Sequence, residues 1–86
     1  MNYLEEEVGR ITHYFSKIGV AVLKLSGSIR VGDTIRIRGH STDFKQKVSS
    51  MQVEHKNIPE AKSGDEVGLK VESQVREGDL VYLVKE

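Results

Sequence analysis

Cysteine is absent from the 86 residues, so neither disulfides nor thiolate metal sites hold this chain together. That composition suits the cytosol. Long apolar runs are missing too. None approaches the roughly 18 residues of a membrane-spanning helix, and the opening MNYLEEEVGR is acidic where a signal peptide is basic and then apolar. The expectation is a soluble, cytoplasmic protein with no membrane partner. A helical period is nearly absent, since only Tyr3 to Glu7 could start a short turn, too brief to stand alone. Eighty-six residues make one domain, residues 1–86, with no room for a second core. Within it residues 1–7 are expected to be an acidic, disordered N-terminus.

Net charge is also lacking, with 13 Lys/Arg against 13 Asp/Glu, but the charges are unevenly placed. Residues 1–9 carry Glu5, Glu6 and Glu7 and no base, residues 10–56 carry nine bases against three acids, and residues 57–86 carry four bases against seven acids. A basic middle between acidic ends reads either as an anion-binding face or as an ordinary mixed surface.

What is present is a period of two. Ile18, Val20 and Val22 alternate with Gly19, Ala21 and Leu23, a strand apolar on both faces and therefore central. In Thr34–Arg38 the isoleucines lie to one side and Thr34, Arg36 and Arg38 to the other. Val67, Leu69 and Val71 share a face, and so do Leu80, Tyr82 and Val84. In Lys45–His55 the inward phase slips between Val48, Met51 and Val53, which implies a bulge that curves the strand. About six short strands without a helix of consequence predict an all-β fold, a small antiparallel β-barrel that curls to remove its own edges.

The pair Gly-Asp occurs three times, in IRVGDTIRIRG, AKSGDEVGLKV and QVREGDLVYLV. Each copy stands at the entry to a strand. Glycine supplies a positive φ, and an aspartate accepts hydrogen bonds from amides two residues on. A calcium loop needs carboxylates clustered at short alternate spacing, and a phosphate loop needs more glycines and a following helix. The repeats read as turns.

The order GVAVLKL, IRVGDTIRIRG, VSSMQVEHKNIPEAKSGDEVGLKV, VREGDLVYLV resembles the second domain of translational GTPases, the elongation-factor Tu-like β-barrel, over roughly Val8 to Val84. AKSGDEVGL is its most specific piece. The opening VGRITHYFSKIGVAV departs from that domain and is closer to small standalone proteins called translation elongation factor-like. A similar barrel also stands at the C-terminus of some collagenase-like peptidases. The resemblance implies a barrel and contacts with tRNA or ribosomal RNA. It does not imply GTP binding, because G-x-x-x-x-G-K-[ST] and N-K-x-D are both missing.

No catalytic constellation stands out, and no cofactor is expected. His13, His40 and His55 lie in separate segments without zinc-ligand spacing. Ser26, Ser49 and Ser50 are outside any G-x-S-x-G elbow. His40 with Asp43 reads more plainly as a turn than as acid–base chemistry. The candidate binding residues are Arg36, Arg38, Lys45 and Lys47, facing outward from two strands of one hairpin. Like charges opposite one another are mildly destabilising, Asp43 at the tip is the only nearby acid expected, and an RNA phosphate or an acidic protein surface would relieve the repulsion. The plainer reading is four side chains splayed into solvent, where edge lysines also deter aggregation. Of Tyr14 and Phe15, at least one is expected in the core, and so is Tyr82. The expectation is therefore a non-enzymatic module for RNA, the ribosome or another ribonucleoprotein, with a protein-interaction module related to the peptidase barrels as the alternative.

Overall fold

The computed structural model describes residues 4–85. Ten strands run through them: β1 (Leu4–Phe15), β2 (Val20–Leu25), β3 (Ile29–Arg30), β4 (Thr34–Arg38), β5 (Asp43–Lys47), β6 (Met51–Val53), β7 (Lys56–Ile58), β8 (Glu60–Ala61), β9 (Glu66–Lys70) and β10 (Leu80–Lys85). Eight form one antiparallel sheet in the order β5-β4-β10-β1-β2-β9-β6-β7, and β3 pairs with β8 separately. The sheet curls around its inner face, giving the expected all-β barrel. Four of the ten, β3, β6, β7 and β8, are pieces of two or three residues, too short to show a period.

Alternation decides which side chains enter the core. Ile35 and Ile37 of β4, Ala21 and Leu23 of β2, Leu69 of β9 and Val81 of β10 are fully buried. Burial of each large aliphatic stabilises the fold by roughly 1.5–3 kcal/mol against exposure. Strand β2 lies between β1 and β9, central as its two apolar faces predict.

Strand β1 reaches around the barrel because it is bent twice. Its register slips between Glu7 and Gly9 against β10, and between Ile11 and His13 against β2. Val8 and Ile11 are buried and Tyr14 packs on the core. These residues are three apart, and each bulge supplies the extra residue that brings the next one inward. The segment Leu4–Glu7, expected to be disordered or a short turn, is therefore strand, paired with Tyr82–Lys85 of β10. Residues 1–3 of that expectation lie outside the described residues.

The bulge expected in Lys45–His55 is replaced by a break. Strand β5 ends at Lys47, and β6 starts at Met51 on the other side of the sheet. Between them Val48 is buried and held by Asp33 and Gly32, through Val48 N donating to Asp33 O (2.8 Å) and Gly32 N donating to Val48 O (2.9 Å). The seam beside β5 is bridged by a buried side chain. Gln46 Nε2 donates to Lys70 O (2.9 Å), and Gln46 Oε1 accepts from Glu72 N (2.8 Å).

Strand β10 also corrects an expectation. Val81 is fully buried and Leu83 packs on the core, while Tyr82 faces outward; of the expected set only Val84, near the end of the strand, is buried. Both alternations of LVYLV are apolar, so the period leaves the phase open. Pairing of Val81 with Ile37 and Leu83 with Ile35 sets it.

The three Gly-Asp pairs are one turn used three times. The aspartate amide donates to the carbonyl three residues earlier, at Arg30, Lys62 and Arg76, over 3.0–3.1 Å. Gly32, Gly64 and Gly78 have φ of 99°, 94° and 93°, and the residues before them are not in that region, the pattern of a type II turn. Each aspartate carboxylate then accepts from the amide of that same first residue, over 2.9–3.1 Å. The clasp runs backward to the start of the turn rather than two residues forward.

Candidate functional site

The hairpin β4–β5 places the predicted cations on the outer face. Ile35 and Ile37 point in, so Arg36 and Arg38 point out; Gln46 and Val48 point in, so Lys45 and Lys47 are exposed. Arg36 stands opposite Lys45, as expected, whereas Arg38 is opposite Asp43 and Lys47 opposite Thr34. Register extends the row across the sheet through Tyr82 of β10 to Glu7 of β1.

Asp43 is not the only acid there. Arg36 Nε and Nη2 donate to the two oxygens of Asp43 at 2.8 and 2.9 Å, and Nη1 donates to Glu5 Oε2 at 2.9 Å. This bidentate clasp plus a third charged bond engages all three guanidinium nitrogens. It raises the Arg36 pKa, chiefly through the hydrogen bond to Asp43, and the same bond holds the Asp43 carboxyl below its ordinary 3.8. Arg38 is less committed. Its Nη1 lies 4.0 Å from Glu5 Oε1, and its guanidinium carbon lies 6.0 Å from the Tyr82 ring centroid, at the edge of cation–π range. The four predicted residues thus share one face, but Arg36 is held inside the protein's own ion-pair network. The residue missed was Glu5. Its signal, the acidic run at the N-terminus, lies in the segment that the sequence alone places outside the barrel.

The three histidines do not converge. His13 lies on β1, His40 in the β4–β5 loop and His55 in the β6–β7 turn, all exposed. Among the described residues no three His, Cys, Asp or Glu side chains group to hold a metal ion. No helix among them is long and apolar enough to cross a membrane. A surface depression of about 360 Å³ is lined by Ser28, Ile29, Arg30, Asp33, Glu60 and Leu83, without a histidine.

The family model for elongation factor Tu domain 2 matches residues 20–82, and the chain belongs to that family. Over 85 residues, 98% of its length, it is 44% identical to an uncharacterized protease of Methanocaldococcus jannaschii, of which it spans only 21%. Among solved structures it resembles the C-terminal domain of a Geobacillus thermoleovorans protein assigned to the U32 peptidases, with a TM-score of 0.85 at 20% identity and 91% of each chain covered. The selenomethionine variant of that domain gives 0.82 at 19% identity, covering 94% of this chain and 99% of the other. At such identities the two structures establish a shared fold.

Proposed function

We propose that this chain is a non-catalytic binding barrel that works as the accessory module of a peptidase-type body. The observation that carries this reading is the 44% identity over nearly the whole chain to a segment that makes up only 21% of a protease. The dispersed histidines agree with it, since acid–base and nucleophilic catalysis need groups within hydrogen-bond reach. Exchanging this chain for the matching segment of the M. jannaschii protein tests the reading. The hybrid is expected to match the unexchanged protein in cleavage of an unfolded casein, and the free chain to cut none. A free chain that cleaves casein, or a hybrid that loses the parent's cleavage while staying folded, overturns it.

A second reading, binding of RNA or the ribosome, is supported by Arg38, Lys45 and Lys47 on one outward face beside Tyr82. With Arg36 held by Glu5 and Asp43, the face offers less free positive charge than the sequence promised. Titration with tRNA at about 50 and about 200 mM salt tests it, because each phosphate contact steepens the salt dependence. Binding that weakens with salt and is lost when Arg38, Lys45 and Lys47 are each changed to Glu supports this reading. Binding to neither tRNA nor ribosomes at low salt ends it.

A further inference from the structure

We infer that the outer face of β1–β2–β9 is the surface by which this barrel seats on the peptidase-type body, an inference that rests on the accessory-module reading above. The outer face of a small antiparallel barrel is ordinarily polar, and here its centre is not. Phe15 pairs with Val20 across the β1–β2 hairpin and His13 with Val22, so these four side chains share the outward side, opposite buried Ala21 and Leu23. The His13 and Phe15 rings lie 4.3 Å apart. On the other flank Val22 pairs with Gly68. A Cβ on Gly68 would stand 3.5 Å from Val20 Cγ1, on the same side, so the glycine leaves the patch flat where a side chain would interrupt it. Ile18 at the hairpin tip is 59% exposed and Phe15 47%, the two largest apolar exposures on this side. Together with Tyr14, Ser16 and Lys17 they line a depression of about 310 Å³.

The rim says what the partner surface carries. Beside the tip stand Lys17 and Lys70, the latter tied to the hairpin by Nζ donating to Ile18 O at 2.9 Å. At the far end Lys24 stands opposite Glu66, and Glu77 lies 3.5 Å from His13. The complementary surface is apolar at its centre and acidic where the tip lands. A second copy of the chain fits poorly. A patch of about four apolar side chains buries a few hundred Å² per partner, against roughly 800 Å² in a stable interface. A body joined to the barrel in one chain needs less, because linkage makes the contact intramolecular. The M. jannaschii protein is such a chain, with about four fifths of its length lying outside the match.

Hydroxyl-radical footprinting of the free chain and of the hybrid described above tests this surface. Labelling at Phe15 and Ile18 is expected to fall about tenfold in the hybrid, as for side chains entering the core of an interface, with Tyr82 labelled equally in both. Loss of labelling at Tyr82 instead, with Phe15 and Ile18 unchanged, overturns this surface and leaves the accessory role standing. Equal labelling at all three also overturns this surface, while the accessory role stands or falls with the casein assay above. A free chain that sediments as a dimer with Phe15 already protected assigns the patch to a second copy and overturns the inference. The hybrid carrying Phe15→Ser and Ile18→Ser adds a check at exposed positions. Its remaining barrel side chains should label as in the free chain, and undiminished protection there also counts against the surface.

Discussion

The barrel has two outer faces built on the same inner one. Across β5, β4, β10 and the first half of β1, the outward row reads Lys45, Arg36, Tyr82, Glu7. Across the second half of β1, β2 and β9 it reads His13, Val22, Gly68, with Phe15, Val20 and Ile18 beside it. The first face pairs its charges internally, through Glu5, Asp43 and Arg36. The second leaves apolar side chains without a covering element. A face whose central arginine is already paired has less to offer an anion, and an uncovered apolar patch has more to offer a protein partner.

The comparison implies that the charged face is woven into the fold and the apolar one is not. The largest effect is expected at Gly39, which follows β4. A Cβ there would clash with Oδ1 of Asp79 and stand 2.6 Å from its Cγ, a buried side chain that cannot swing away freely. Gly39→Ala should cost about 2–3 kcal/mol in urea unfolding; a loss below about 0.5 kcal/mol would mean the hairpin moves as a unit. Next is Gln46→Ala, which leaves Lys70 O and Glu72 N without their partners at the seam and should cost about 2 kcal/mol.

Beyond β9, the β6–β7 hairpin turns through Glu54 and His55, both at positive φ (51° and 65°) without being glycine. This is the two-residue turn that Asn-Gly normally fills. His55→Gly should raise stability by about 1 kcal/mol in the same assay, and a loss would show that the imidazole makes a compensating contact.

Smaller still is Asp43→Asn, whose effect depends on pH. The Asp43 pKa is depressed by Arg36 from 3.8, so the stabilisation is present above that value and lost as pH falls through the lower folded one. The gap in Tm between the two proteins should be open at pH 7 and close at pH well below 3.8; a gap unchanged with pH would show that the carboxylate's charge is not what matters. The smallest effect belongs to the other face. Phe15→Ser with Ile18→Ser should change the free chain's stability by less than about 0.5 kcal/mol per site. A much larger loss would mean that the apolar face already supports the fold and needs no partner.

Legibility in the sequence followed the same divide. Ile35 and Ile37 alternate with polar residues, so one glance assigns their faces and places Arg36, Arg38, Lys45 and Lys47 outside. In LVYLV both phases are apolar, and only cross-strand register to Ile35 and Ile37 puts Tyr82 outside. Val8, Ile11 and Tyr14 are three apart, a spacing that a twice-bulged strand shares with a helix, so β1 could not be recognised by a period of two. Glu5 was missed for the same reason, because its role depends on β1 running beside β10. The apolar outer face was written openly in IGVAVL, where two apolar alternations mean either a central strand or a covered one. Here the strand is central, and its outer side stays open.

The central claim is that the barrel works seated on a larger body. Calorimetric unfolding of this chain alone and within the hybrid tests it most directly, since any contact made only by the folded barrel raises its transition. The barrel's transition is predicted to rise in the hybrid and to fall back when Phe15 and Ile18 are both serine. A transition at the same temperature in the free chain and in the hybrid would contradict the account.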